Sequence, residues 1–140
     1  MSIYLPVFST LNNANIKYII VGGLATLLHG YMRLTANIDL IINLERNEAL
    51  KCITTLLDMG LTPRQPVDPY DFADSEIRST WIKDKNMVVF SLFNPNDPLI
   101  SVDLFVDNPI QFEDLWDRGE IVDIGGQEVK IASIPDLITI

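Results

Sequence analysis

Gly22, Gly23, Asp39 and Asp103 are the residues whose types and spacing could do chemistry in this chain. Gly22-Gly23 follows the apolar run Tyr18 to Val21 and precedes Leu24 to His29, so a strand runs into a glycine turn that opens a helix. Glycine lets a backbone approach a phosphate closely, and the free amides of a helix start point toward an anion. The chain returns through Arg33 to Asn37-Ile38-Asp39, where alternation puts residues 37 and 39 on one face of a strand. Asp103 lies inside Ile100 to Val106, an apolar strand in which an acid has no packing role. Acids converging from adjacent strands are the usual cradle for Mg²⁺ ions that bridge a triphosphate.

The elements that must position these residues follow from periodicity. Residues 2–15 carry a loose helical pattern broken early by Pro6, and Asn12, Asn13 and Asn15 form a turn. Residues 17–21 and 38–42 read as strands, with a short helix over 24–29 stopped by Gly30. Residues 43–59 are the clearest amphipathic helix, closed by Gly60. Pro63, Pro66 and Pro69 predict a loop over 62–75 with one helical turn near Phe72. Alternation over 80–83 and 87–92 predicts two strands around a turn at Asp84-Lys85-Asn86, followed by a loop over 94–98. Strand 100–106, helix 112–118, a hairpin of 121–124 with 128–131 around Gly125-Gly126, and a helix start at Ser133-Ile134-Pro135-Asp136 complete the chain.

The 140 residues suit one domain, with 48% hydrophobic and 21% charged content. The last helical pattern stops a few residues after it starts, which points to a piece of a longer natural protein. No apolar run is long enough to span a bilayer, and no basic-then-apolar leader opens the sequence. The single cysteine, Cys52, cannot close an internal disulfide, so a reducing, cytoplasmic home is expected. Ten Lys and Arg against nineteen acids leave a net charge of −9, which disfavours extended nucleic-acid binding. A nucleoside triphosphate is still compatible, because metal ions and helix N-termini offset its charge locally.

On Gly22-Gly23, Asn37-Ile38-Asp39 and Ser101-Val102-Asp103-Leu104-Phe105, the sequence resembles the DNA polymerase β-like nucleotidyltransferase superfamily. It looks nearest to small prokaryotic members related to abortive-infection and toxin–antitoxin nucleotidyltransferases. The tail from Phe112 through Leu137 shares the likeness, which therefore covers nearly the whole chain. The resemblance implies an α+β fold, a mixed β-sheet with helices packed mainly on one face. It implies transfer of a nucleoside monophosphate from an NTP to a hydroxyl or phosphate acceptor, with Mg²⁺ or Mn²⁺ as cofactor. Asp39 would ligate metal, and Asp103 would ligate the catalytic metal and help activate the attacking oxygen. Gly22 and Gly23 would cradle the β and γ phosphates, and Arg33 would approach the triphosphate or pair with a core acid.

The first acid of the family's pair is here Asn37. An amide can offer its oxygen to a metal but brings no negative charge and cannot act as a base. Losing a unit charge beside a divalent ion weakens binding by at least a few kcal/mol at an effective dielectric of about 20. An altered but active site, a natural non-catalytic relative and an engineered substitution all fit. The alternative function is therefore a non-catalytic nucleotide-binding or toxin–antitoxin-type interaction module, working through a homo-oligomer or a protein partner.

Other candidates read as structural. His29, before Gly30, is expected to cap the last carbonyls of its own helix. Lys83 and Lys85 are expected near a solvated hairpin tip, and Asp68, Asp71, Asp74 and Glu76 on a solvated loop. Asp107 reads as turn chemistry, Trp81 and Trp116 as core or interface residues, and Cys52 as unreactive.

Overall fold

Local sequence sets where most elements begin. Tyr4 precedes helix α1 (Leu5–Asn13), and Pro6 falls in its first turn. There the missing N–H costs no hydrogen bond, so Pro6 starts the helix rather than breaking it. Strand β1 (Tyr18–Val21) runs into helix α2 (Gly22–Leu28), which begins on the Gly-Gly pair itself. Strand β2 (Asn37–Ile42) leads to helix α3 (Arg46–Asp58), capped by the Glu45 carboxylate, which accepts from the amides of Asn47 and Glu48. That cap moves the helix start past the Asn43 expected from the apolar pattern. These assignments come from a computed structural model that describes residues 4–30 and 37–140.

Beyond α3 the chain makes a two-residue edge strand, β3 (Thr62–Pro63), and a 3-10 turn over Pro69–Ala73, in line with the one helical turn expected near Phe72. The strand expected over 80–83 is wrong. Helix α4 (Ser75–Lys85) occupies that stretch, and strand β4 (Val89–Asn94) follows it. The Asp74 carboxylate accepts from the amides of Glu76 and Ile77, Lys83 and Lys85 lie in the last turn, and Asn86 closes the helix at φ 53°. Start cap, cationic end and left-handed stop all favour a helix, and they outweigh four residues of alternation. The loop expected over 94–98 is mostly strand: only Pro95 and Asn96 turn, between β4 and β5 (Asp97–Phe105). Helix α5 (Phe112–Arg118), the hairpin β6 (Glu120–Ile124) and β7 (Gln127–Ile131), and helix α6 (Ile134–Thr139) follow as the pattern predicts.

Among the described residues the strands form one mixed seven-stranded sheet in the order β3-β4-β5-β2-β1-β7-β6. β2 runs parallel to β5 and β1 parallel to β7, and the other neighbours are antiparallel. Side-chain alternation divides the core. Tyr18, Ile20, Ile38, Leu40, Ile42, Val102 and Leu104 face a large cluster with residues of α1, α2, α3, the 3-10 turn and α4. Ile19, Val21 and Ile41 face a smaller cluster with Phe112 and Leu115 of α5 and Ala132. The fold is thus α+β with helices mainly on one face. Phe90 is fully buried and stacks on Phe72 at 5.7 Å and on Trp81 at 5.3 Å. No helix among the described residues is long and apolar enough to cross a membrane.

Two buried charges tie segments together. Arg78 donates to the carbonyls of Phe72 and Leu44. Burial lowers its pKa, while Asp74 and Asp107 act against that shift. Asp136 in the first turn of α6 takes a two-bond grip from Arg118 at 2.9 and 3.0 Å, docking α6 on the end of α5. The hydrogen bonds from Arg118 and then the Ser133 contact hold the Asp136 carboxyl below its ordinary 3.8, against the opposing effect of burial. A lowered carboxyl pKa contributes stability that is present above the ordinary value and lost as pH falls through the folded one. Asp136→Asn should therefore lower the melting temperature at pH 7 by a few degrees, with the gap to the unsubstituted protein closing on acidification. Circular-dichroism melts from pH 7 to pH 2 check this; a gap that stays constant would show that the pair does not contribute.

Candidate active site

Asp39 and Asp103 are direct neighbours. In the parallel β2–β5 pair, Asn37 lies opposite Ser101 and Asp39 opposite Asp103. Adjacent strands are about 4.8 Å apart, so the two aspartates stand side by side on one face of the sheet. It is the face opposite the large helical layer, since Ile38, Leu40, Val102 and Leu104 fill the other side. On the far side of β2, Val21 is the cross-strand partner of Asp39, and the chain turns at the next residue, Gly22. Asp103 is buried, Asp39 half-buried and Asn37 exposed.

Gly22 has two reasons to be glycine. Its φ is +69°, and a Cβ there would overlap Asp39 Oδ2 and stand 3.0 Å from Asp39 Cγ. The turn is therefore shaped around the Asp39 carboxylate. Gly23, the second glycine, is buried in the first turn of α2. Arg33 lies outside the described residues.

Ser101 is the site residue that motif reading missed. Its buried hydroxyl stands 3.0 Å from Asn37 Oδ1 and 3.3 Å from Asp103 Oδ1. Its position two before Asp103 on an alternating strand was the available signal.

The donor set is two carboxylates and one amide oxygen; among the described residues no group of three or more His, Cys, Asp or Glu gathers to hold a metal ion. That set fits Mg²⁺, which dehydrates reluctantly and is commonly held by one or two carboxylates together with substrate phosphates.

The remaining candidates are structural. His29 does not cap its own helix; its Nε2 donates to the Ala132 carbonyl at 2.9 Å and its Nδ1 lies 3.5 Å from Glu120 Oε2. The side chain thus reaches Glu120 at the start of β6 and the residue that follows β7. Asp68 and Asp74 are helix caps, and Lys83 and Lys85 are exposed on α4 rather than at a hairpin tip. Trp116 is half-buried beneath the ammonium groups of Lys17 and Lys130, 5.1 and 4.1 Å from its ring. Burial pushes the Cys52 thiol up to about 12, far from any reactive thiolate.

Gly60 has a positive φ of 97°, but a Cβ added there would meet nothing within 4 Å, so it separates backbone cost from crowding. Gly60→Ala should cost only the left-handed conformation, whereas Gly22→Ala should cost about 1–3 kcal/mol more through the clash with Asp39. Urea unfolding of both variants measures the difference, and equal losses would show that Asp39 does not pack on the turn.

No protein-family model matches the sequence, and neither does any curated protein. Solved structures do share its fold. They include a Thermotoga maritima protein assigned as a nucleotidyltransferase, with a TM-score of 0.64 at 12% identity over 98% of this chain and 79% of that one. They also include an antigenic nucleotidyltransferase-like protein of Paracoccidioides brasiliensis, with a TM-score of 0.53 at 20% identity over 94% of this chain. The chain spans 59% of that second protein's length. The fold of this chain is thus nucleotidyltransferase-like.

Proposed function

We propose that the chain is a Mg²⁺-dependent nucleotidyltransferase that moves a nucleoside monophosphate from an NTP to an acceptor hydroxyl or phosphate. The placement of Asp39 beside Asp103, with Gly22 turned around Asp39, is the observation that carries this reading. Asp39 and Asp103 would hold the metal, and Asn37 would add its amide oxygen. Mg²⁺, or Mn²⁺ in its place, would neutralise phosphate charge and polarise the α-phosphoryl group. The Gly22-Gly23 turn would receive the β and γ phosphates on backbone amides, with Arg33 as a further contact. Asp103 would take the proton of the acceptor oxygen as that oxygen bonds to the α-phosphorus. The bond from the α-phosphorus to the bridging oxygen breaks, and pyrophosphate leaves. With only two carboxylates in the donor set, metal should bind weakly alone and more tightly with NTP present.

A protein side chain, a small molecule or a tRNA end would each serve as acceptor, and the net charge of −9 weighs against extended nucleic acid. The one free cysteine suits a reducing, cytoplasmic setting. One observation favours a second reading: Asn37 leaves the set one charge short. On that reading the domain is a non-catalytic nucleotide-binding or toxin–antitoxin-type module that works through a protein partner or a second copy.

Incubation with each labelled NTP, Mg²⁺ or Mn²⁺ and cell extract should label one acceptor class, with Asp39→Ala and Asp103→Ala each lowering transfer by about 100-fold or more. No transfer by this chain, and none by Asn37→Asp, would sink the enzymatic reading. Calorimetry with and without EDTA tests the second: NTP binding indifferent to metal and to Asp103→Ala would favour the non-catalytic module.

A further inference from the structure

We infer that Lys17, Trp116 and Lys130 form a binding site for a small aromatic carboxylate, separate from the Asp39–Asp103 site. Lys17, just before β1, continues the alternation of Ile19 and Val21, which face the smaller cluster with α5. Lys130 lies between Val129 and Ile131, which face the large cluster. Both lysines therefore belong to the sheet face that carries Asp39, the cross-strand partner of Val21. Trp116 of α5 has a structural role there, since its ring stacks on Phe112 at 5.9 Å. The same indole bears both ammonium groups, Lys130 at 4.1 Å and Lys17 at 5.1 Å from its centre.

Two of the chain's five lysines thus converge on one ring, although acids outnumber cationic residues nineteen to ten. Among the described residues neither ammonium forms an ion pair. The face of an indole offsets part of the repulsion between two such cations, and a bound anion would offset the rest. Beside the ring is a depression of about 200 Å³, with an apolar wall of Ile16, Tyr18, Trp116, Ile121 and Val129. A space of that order holds one benzene-sized ring rather than an extended chain. Lys130 lines this depression, and a second one that adjoins it at Asn12, Ile16 and Glu128 carries Lys17.

The other polar groups of the lining narrow the choice of ligand. Asn12 donates to Gln127 Oε1 and the Glu128 carbonyl and accepts from the Tyr18 hydroxyl, so its bonds are already spent within the protein. Selection then falls to charge. Glu128 is the one carboxylate of the lining among the described residues. Two lysines and one glutamate leave a single positive charge, which matches a monocarboxylate better than a doubly charged phosphate.

The indole N–H of Trp116 reports the site by ¹⁵N-resolved NMR, assigned through its loss in Trp116→Phe, and buried Trp81 serves as the internal reference. Phenylacetate at millimolar concentration should shift the Trp116 signal and leave Trp81 unmoved. Phenylacetamide, which has the same shape without the charge, should bind about tenfold more weakly. Lys130→Gln should weaken phenylacetate binding about tenfold and the exposed Lys17→Gln about threefold, while Lys83→Gln on α4 should change nothing. Phenyl phosphate should bind less tightly than phenylacetate, and Glu128→Gln should narrow that difference. Equal binding of phenylacetate and phenylacetamide, or no response of Trp116 to either, would overturn the site. Tighter binding of phenyl phosphate by the unsubstituted protein would overturn the choice of a carboxylate. None of these readouts involves a nucleotide or a metal, so they decide this site independently of the proposed function.

Discussion

Two like charges side by side on a sheet are the constraint around which this fold is arranged. Aspartates directly opposite one another on neighbouring strands repel, and the repulsion grows as water is removed. Asp39 and Asp103 occupy that arrangement, and the second is buried. A structure that keeps such a pair must secure it by other means. Here the opposite face of the same two strands does so: Ile38, Leu40, Val102 and Leu104 lie in the large cluster beneath the helices. Burying one such side chain contributes on the order of 1.5–3 kcal/mol, so a shift in the β2–β5 register that separated the acids would expose several residues of the core.

The parallel direction of β2 and β5 is equally consequential. Parallel strands cannot be joined by a tight turn and need a crossover. The crossover here comprises α3, the edge strand β3, the 3-10 turn, α4 and β4. This segment supplies most of the helical layer, including the Phe72–Phe90–Trp81 stack, and Arg78 ties its 3-10 turn back to the end of β2. The stretch with the weakest motif content is therefore what allows the two acid-bearing strands to run parallel. On the other side of β2, the Gly22 turn closes directly over Asp39 without a side chain of its own.

Asn37 gains a different meaning inside this frame. As a letter in a motif it is a missing charge. In the sheet it stands opposite Ser101, whose hydroxyl also reaches Asp103, so the three polar groups form a connected set. A neutral amide in that position relieves the repulsion that a third carboxylate would add to the pair.

The local chemistry of this chain is legible in its sequence. Gly22-Gly23, the alternation that puts 37 with 39 and 101 with 103, Ser133 as a cap and helix 112–118 are short-range features, set by backbone freedom and side-chain period. Helix α4 is hard to read because few of its positions are apolar, and its identity rests on Asp74, the C-terminal lysines and Asn86 rather than on a hydrophobic stripe. His29 reads as a cap of its own helix because its true partner, Ala132, is more than one hundred residues away. Only tertiary structure could set Asp39 opposite Asp103, bring Ser101 to Asn37 and fold the Gly22 turn over Asp39, because strand register depends on burial summed over both faces of the sheet. Gly22, Asp39 and Asp103 were determined as candidates by residue type and spacing; their assembly into one site was decided by the register of β1, β2 and β5.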